Sequence, residues 1–125
     1  LVGAPNGGTI GTALGTLYAR GSHLIVPVSR EKLIPSVEEA VRQLGIHALS
    51  HSWDMACGMV PVVGATVITE VEALDILCGV KAVQVSAGGV GGSEGSVGLV
   101  ISGPEPQVTA AMELIRSIKG EPPIA

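Results

Sequence analysis

The chain has 125 residues, enough for one domain or two very small ones. Its 46% hydrophobic and 14% charged residues exclude a disordered chain, and its core must form from Val, Ile, Leu, Ala and Gly, with no Phe, one Tyr and one Trp. Seven Lys and Arg against eleven Asp and Glu offer no basic footprint for phosphates, and 2% aromatics offer no stacking platform, which argues against a nucleic-acid partner.

From the N-terminus, residues 2–9 run through glycines to 13–19, in the plan strand, glycine loop, strand. Residues 23–28 read as a further strand, and the segment from Pro35 to Val41 as the start of a helix. Residues 62–68 are β-branched, bounded by Pro61, and read as a strand. Over 70–78, Val71, Leu74, Leu77 and Cys78 recur at helical spacing. Glu70 and Glu72 lie in the first turn, where the helix dipole favours them, and Gly79 stops the helix. Strands follow over 81–87 and 97–102, joined by the glycine loop 88–95, and the near-continuous apolar run of the second marks it as central. The helix over 106–119 carries Val108, Ala111, Met112, Ile115 and Ile118 in one stripe and ends at Gly120. Two domains follow, 1–61 and 62–125.

The N-terminal half repeats part of this pattern. Val2, Ala4, Gly8 and Gly15 match Val85, Ala87, Gly91 and Gly98 at constant offset, and 35–41 matches 106–112, which predicts a partial tandem repeat. The second half has the order β-α-β-β-α of a ferredoxin-like α+β unit. No basic segment opens the chain, and the longest apolar stretch, 59–68, is interrupted by Pro61 and Gly64, well short of the ~20 residues of a membrane span. Cys57 and Cys78 make no disulfide framework and read as thiols of a cytoplasmic chain.

Residues 81–85, the loop 86–96, the strand 97–103 and the helix with Val108, Ala111 and Met112 together resemble a bacterial microcompartment shell domain. The resemblance covers about half of the chain, the C-terminal half. It implies a ferredoxin-like fold, self-assembly, and a glycine loop lining the central pore of a hexamer or pseudohexameric trimer. By position the pore residues are Gly91, Gly92, Ser93 and Glu94. The opening segment 62–80 is short for that family, and its edge lysine has only Lys81 as a displaced counterpart.

The most chemical stretch is 46–57. On a helix, His47, His51 and Asp54 would fall at i, i+4 and i+7 on one face, a plausible divalent-metal set, with Cys57 a turn further. A His–Asp or His–Cys acid/base pair is the catalytic version. The bland version is a connection with solvent-facing histidines, Ser52 capping a short helix and Trp53 plugging a gap. Neither glycine loop has a phosphate-binding lysine, and 88–95 leads into a strand where a dinucleotide motif needs a helix. Its amides can still meet an anion, which Glu94 opposes. Arg30, Glu31, Lys32, Glu38, Glu39, Arg42, Glu113 and Arg116 read as solvated helix faces.

Three functions fit these residues. The first is a non-enzymatic shell-like protein that self-assembles as a homo-oligomer, because so little charge covers its surface. The second is a sensing domain that binds a small anionic metabolite at a glycine loop. The third is a small metal-dependent enzyme using His47, His51 and Asp54. No residue pattern selects a cofactor or decides whether the chain is an enzyme.

Overall fold

The structure, a computed structural model, describes residues 7–54 and 56–122. The chain is a mixed α+β protein with four α-helices and two small sheets among these residues. In chain order the elements are α1 (Gly8–Ala19), β1 (Ile25–Pro27), α2 (Val37–Gln43), β2 (Thr66–Ile68), α3 (Glu70–Cys78), β3 (Lys81–Ala87), β4 (Val97–Ser102) and α4 (Glu105–Ile118). They form two compact units. One comprises Ile34–Val67 and the segment ending at Val26; the other comprises Pro27–Leu33 and the segment beginning at Ile68.

The first unit departs most from expectation. Residues 13–19, predicted as a strand by the repeat, lie in α1. The burial pattern supplies the reason: Leu14 is buried, Gly11 and Leu17 are half-buried, and the residues between them are exposed. That is a helical period, and it outweighs the low helix propensity of the glycines. The first strand of the expected repeat, from Val2, lies outside the described residues. Only three residues of the predicted strand 62–68 are extended and paired. Upstream of them, the Tyr18 hydroxyl donates to the Val63 carbonyl and accepts from the Val63 amide, both at 2.9 Å, so neither group is free for a ladder. Gly64 then turns the chain with φ 73°. Helix α2 is capped by Ser36, whose hydroxyl accepts from the Glu39 amide at 3.1 Å.

β1 and β2 pair with one another. The Thr66 amide donates to the Leu24 carbonyl and the Val28 amide to the Ile68 carbonyl, so the partners advance together and the strands run parallel. This pairing leaves the ferredoxin-like unit unconfirmed. The order β-α-β-β-α is present, but β2 belongs to the ladder with β1, while β3 and β4 form a separate two-stranded sheet.

In the second unit, β3 and β4 pair antiparallel from Lys81 opposite Ser102 to Ala87 opposite Val97, with a register shift between Gln84 and Ser86. The core holds Leu74, Val80, Ala82 and Ala111, with Val71, Cys78, Leu99, Ile101, Val108 and Ile115 packed against it. The contributions of α3 (Val71, Leu74, Cys78) and of α4 (Val108, Ala111, Ile115) each step by i, i+3, i+7, one helical face. From the sheet come Ala82, Leu99 and Ile101, one side of the pleat. On the other side Val83 and Val100 are exposed. So β4 is apolar on both faces and covered on one, and among the described residues it pairs only with β3, not as a central strand. Met112 and Ile118, predicted within the α4 stripe, are exposed too, because the stripe is wider than the core it meets.

Helix α3 ends as predicted at Gly79, which adopts φ 66°. A Cβ there would stand 3.2 Å from Gln107 Nε2. Leu74→Ala is expected to cost about 2–5 kcal/mol in denaturant unfolding. Gly79→Ala should cost about 1 kcal/mol or more, since alanine must adopt the left-handed conformation.

Candidate functional site

The glycine loop between β3 and β4 is exposed along its whole length, including Gly91, Gly92, Ser93 and Glu94. It is nevertheless structured by its own bonds. The Gly88 amide donates to the Ser96 carbonyl at 2.9 Å, and the Ser96 hydroxyl returns to the Gly88 carbonyl at 3.1 Å. The Ser96 amide donates to the Ser93 carbonyl at 3.1 Å. Gly89 is required for close approach, since a Cβ there would overlap the Ser93 backbone. The Glu94 carboxylate accepts from the Gly92 amide at 3.0 Å. A loop amide therefore already binds a carboxylate, and that carboxylate is the loop's own. An external anion would have to displace Glu94.

A second constellation surrounds the start of α3, where the sequence marked Glu70 and Glu72 as first-turn acids and Arg30 as a solvated charge. Thr69 caps the helix in a capping box: its amide donates to Glu72 Oε2 at 2.8 Å, and its hydroxyl meets the same oxygen. The Glu70 carboxylate turns to the segment 27–33. It accepts the Ser29 hydroxyl at 2.6 Å and the Arg30 amide at 3.0 Å. Arg30 Nε donates to Gln84 Oε1 at 2.6 Å. Partial burial raises the affinity of Glu70 for a proton, but the Ser29 hydroxyl, the backbone amides of Glu70 and Arg30, and the Arg30 charge outweigh it. The carboxyl is held below the usual glutamate range. Glu72 is lowered as well, chiefly by the Thr69 hydroxyl and amide, with Arg30 adding a smaller effect. An open, mainly apolar depression of about 410 Å³ adjoins this network, lined by Pro27, Val28, Ser29, Ile68, Thr69, Glu70 and Ala73. Thr69-Glu70-Val71-Glu72 carries the capping box legibly in sequence; the pairing of Glu70 with residues forty positions earlier leaves no local signal.

The described residues of the histidine stretch do not form the helix on which a metal set would depend. Residues 46–48 are a turn closed by the Ala48 amide on the Gly45 carbonyl at 3.1 Å, and His47, His51 and Asp54 are exposed on an irregular connection. His51 Nδ1 lies 3.3 Å from the Ser50 hydroxyl, and the Ser52 hydroxyl donates to the Asp54 carbonyl at 2.6 Å. These local side-chain bonds favour turns over helix, which explains the difference. Among the described residues, no three His, Cys, Asp or Glu side chains are grouped to hold a metal. Trp53 fills no gap: its indole is fully exposed. Cys57 and Cys78 are free thiols, both half-buried. No helix among the described residues is long and apolar enough to cross a membrane.

Comparisons with protein-family models, with curated proteins and with solved structures find no match for this chain.

The Glu70 network has a definite pH signature. A folded-state pKa below the unfolded value contributes stability that is complete above the unfolded value and is lost as pH falls through the folded value. Unfolding free energy measured against pH should therefore show wild type above Glu70→Gln at neutral pH, with the two curves converging in acid.

Proposed function

We propose that this chain is a non-enzymatic, self-assembling protein of the microcompartment-shell type, with its glycine loops gathered around a symmetry axis or pore. The observation that carries this reading is the glycine hairpin itself. It projects, exposed throughout, from a β-α-β-β-α run whose helices cover one sheet face. The uncovered face supports it. Val83, Val85 and Val100 are all about half or more exposed, an apolar surface that a second copy of the chain would bury. The sparse interior points the same way: among the described residues the buried apolar side chains are Leu14, Leu74, Val80, Ala82 and Ala111. In the assembly Gly91, Gly92 and Ser93 would line the axis and Glu94 would place a ring of carboxylates there.

Light scattering at micromolar concentration should give a particle several times the 12.5 kDa chain mass. The double variant Gly91→Val/Gly92→Val should keep the far-UV signature of the fold and lose that particle. A wild-type monomer rejects the reading, as does a folded double variant of unchanged mass.

A further inference from the structure

We propose that Pro27–Leu33 is a strap that holds the glycine loop at both of its roots, and that Glu70, on α3, is the anchor that keeps the strap in place. The strap belongs to the second unit, although the chain on either side of it belongs to the first. Its anchorage is polar and local to the start of α3. The Val28 amide donates to the Ile68 carbonyl at 2.9 Å, the Ser29 hydroxyl to Glu70 at 2.6 Å and the Arg30 amide to Glu70 at 3.0 Å. Ser29 also begins a short 3-10 turn, Arg30–Lys32, by accepting from the Glu31 amide at 3.3 Å. That turn fixes the directions in which the next two side chains leave.

Those two side chains reach the hairpin on opposite sides of the loop. Arg30 Nε donates to Gln84 Oε1 at 2.6 Å on β3, and Gln84 Nε2 lies 3.4 Å from the Ser86 carbonyl. Gln84 and Ser86 bracket the register shift, just before the loop begins. Glu31 reaches the returning side: its carboxylate, paired with Lys32 at 3.4 Å, lies so close to Gly95 that a Cβ there would stand 2.5 Å from Oε2. The hydrogen bonds of residues 88–96 beyond the strands are internal to the loop among the described residues. The strap thus sets another element against the loop: the link runs from Glu70 through Ser29 and Arg30 to Gln84, and through Glu31 to the vicinity of Gly95.

Hydrogen exchange on the full chain tests this. It concerns the same loop as the proposed function but holds whatever that loop faces, and particle mass is read separately by light scattering. Ser29→Ala and Glu70→Ala should speed exchange of the Arg30 amide by about tenfold, the loss of a charge-assisted hydrogen bond. The Gly88 and Ser96 amides should speed up with it, while the amides of α4 keep their protection. Glu31→Ala should speed the loop amides and leave the Arg30 amide unchanged, because it cuts the link beyond the anchor. A strap that exchanges faster while Gly88 and Ser96 are unaltered overturns the proposal. If Glu70→Ala also loosens the α3 amides, Ser29→Ala, which leaves the helix intact, decides the outcome by the same two amides.

Discussion

A core without phenylalanine closes by approach rather than by bulk, and in the second unit that approach centres on Ala111. Its side chain is completely buried and shares one cluster with Leu74, Val80 and Ala82. Two alanines in a four-residue cluster leave little volume to fill, so α3 lies close to both β3 and α4, and small changes of volume are felt. The position of α3 follows from this packing, the position of Glu70 follows from α3, and the strap and the glycine hairpin follow from Glu70. Polar detail at the surface is therefore governed by apolar contacts that carry no charge.

Elements are legible in the sequence where the physical signals agree. Helix α3 has an apolar stripe, acids in its first turn and a glycine stop, and its observed limits match. β3 and β4 alternate or run apolar between glycines, and both were legible. The reading failed where two signals competed. In 13–19 the match of Gly8 and Gly15 to Gly91 and Gly98 suggested a strand, while the spacing of Gly11, Leu14 and Leu17 encoded a helix. At Val63 a β-branched run lost its ladder to a phenol hydroxyl 45 residues earlier, and no local pattern can carry such a contact. The histidine stretch needed a helix that its serines oppose.

Function was less legible than fold because the groups that organise the candidate site are spread along the chain. The glycines of the loop could be read as a loop at once. What could not be read is that Glu94 satisfies one of its amides, or that Arg30 and Glu31 are committed to the hairpin. As neighbours in the charged run Arg30-Glu31-Lys32, they have the appearance of solvation. The partner of Arg30, Gln84, is a neutral amide, and Gly95, which Glu31 lies against, has no side chain, so neither pairs visibly with a charge.

The discontinuity of the second unit bears on how it can come into being. During synthesis Ser29 and Arg30 emerge some forty residues before Glu70, and the hairpin follows later still. The strap therefore exists for a time with no surface to rest on, and its docking closes a long stretch of chain late in folding. A fragment cut at Ile68 would contain the whole hairpin with α3 and α4, yet would leave the Glu70 carboxylate without the Ser29 and Arg30 donors. What looks in linear order like an independent C-terminal domain is, in its bonding, dependent on seven residues that belong to the other half of the chain.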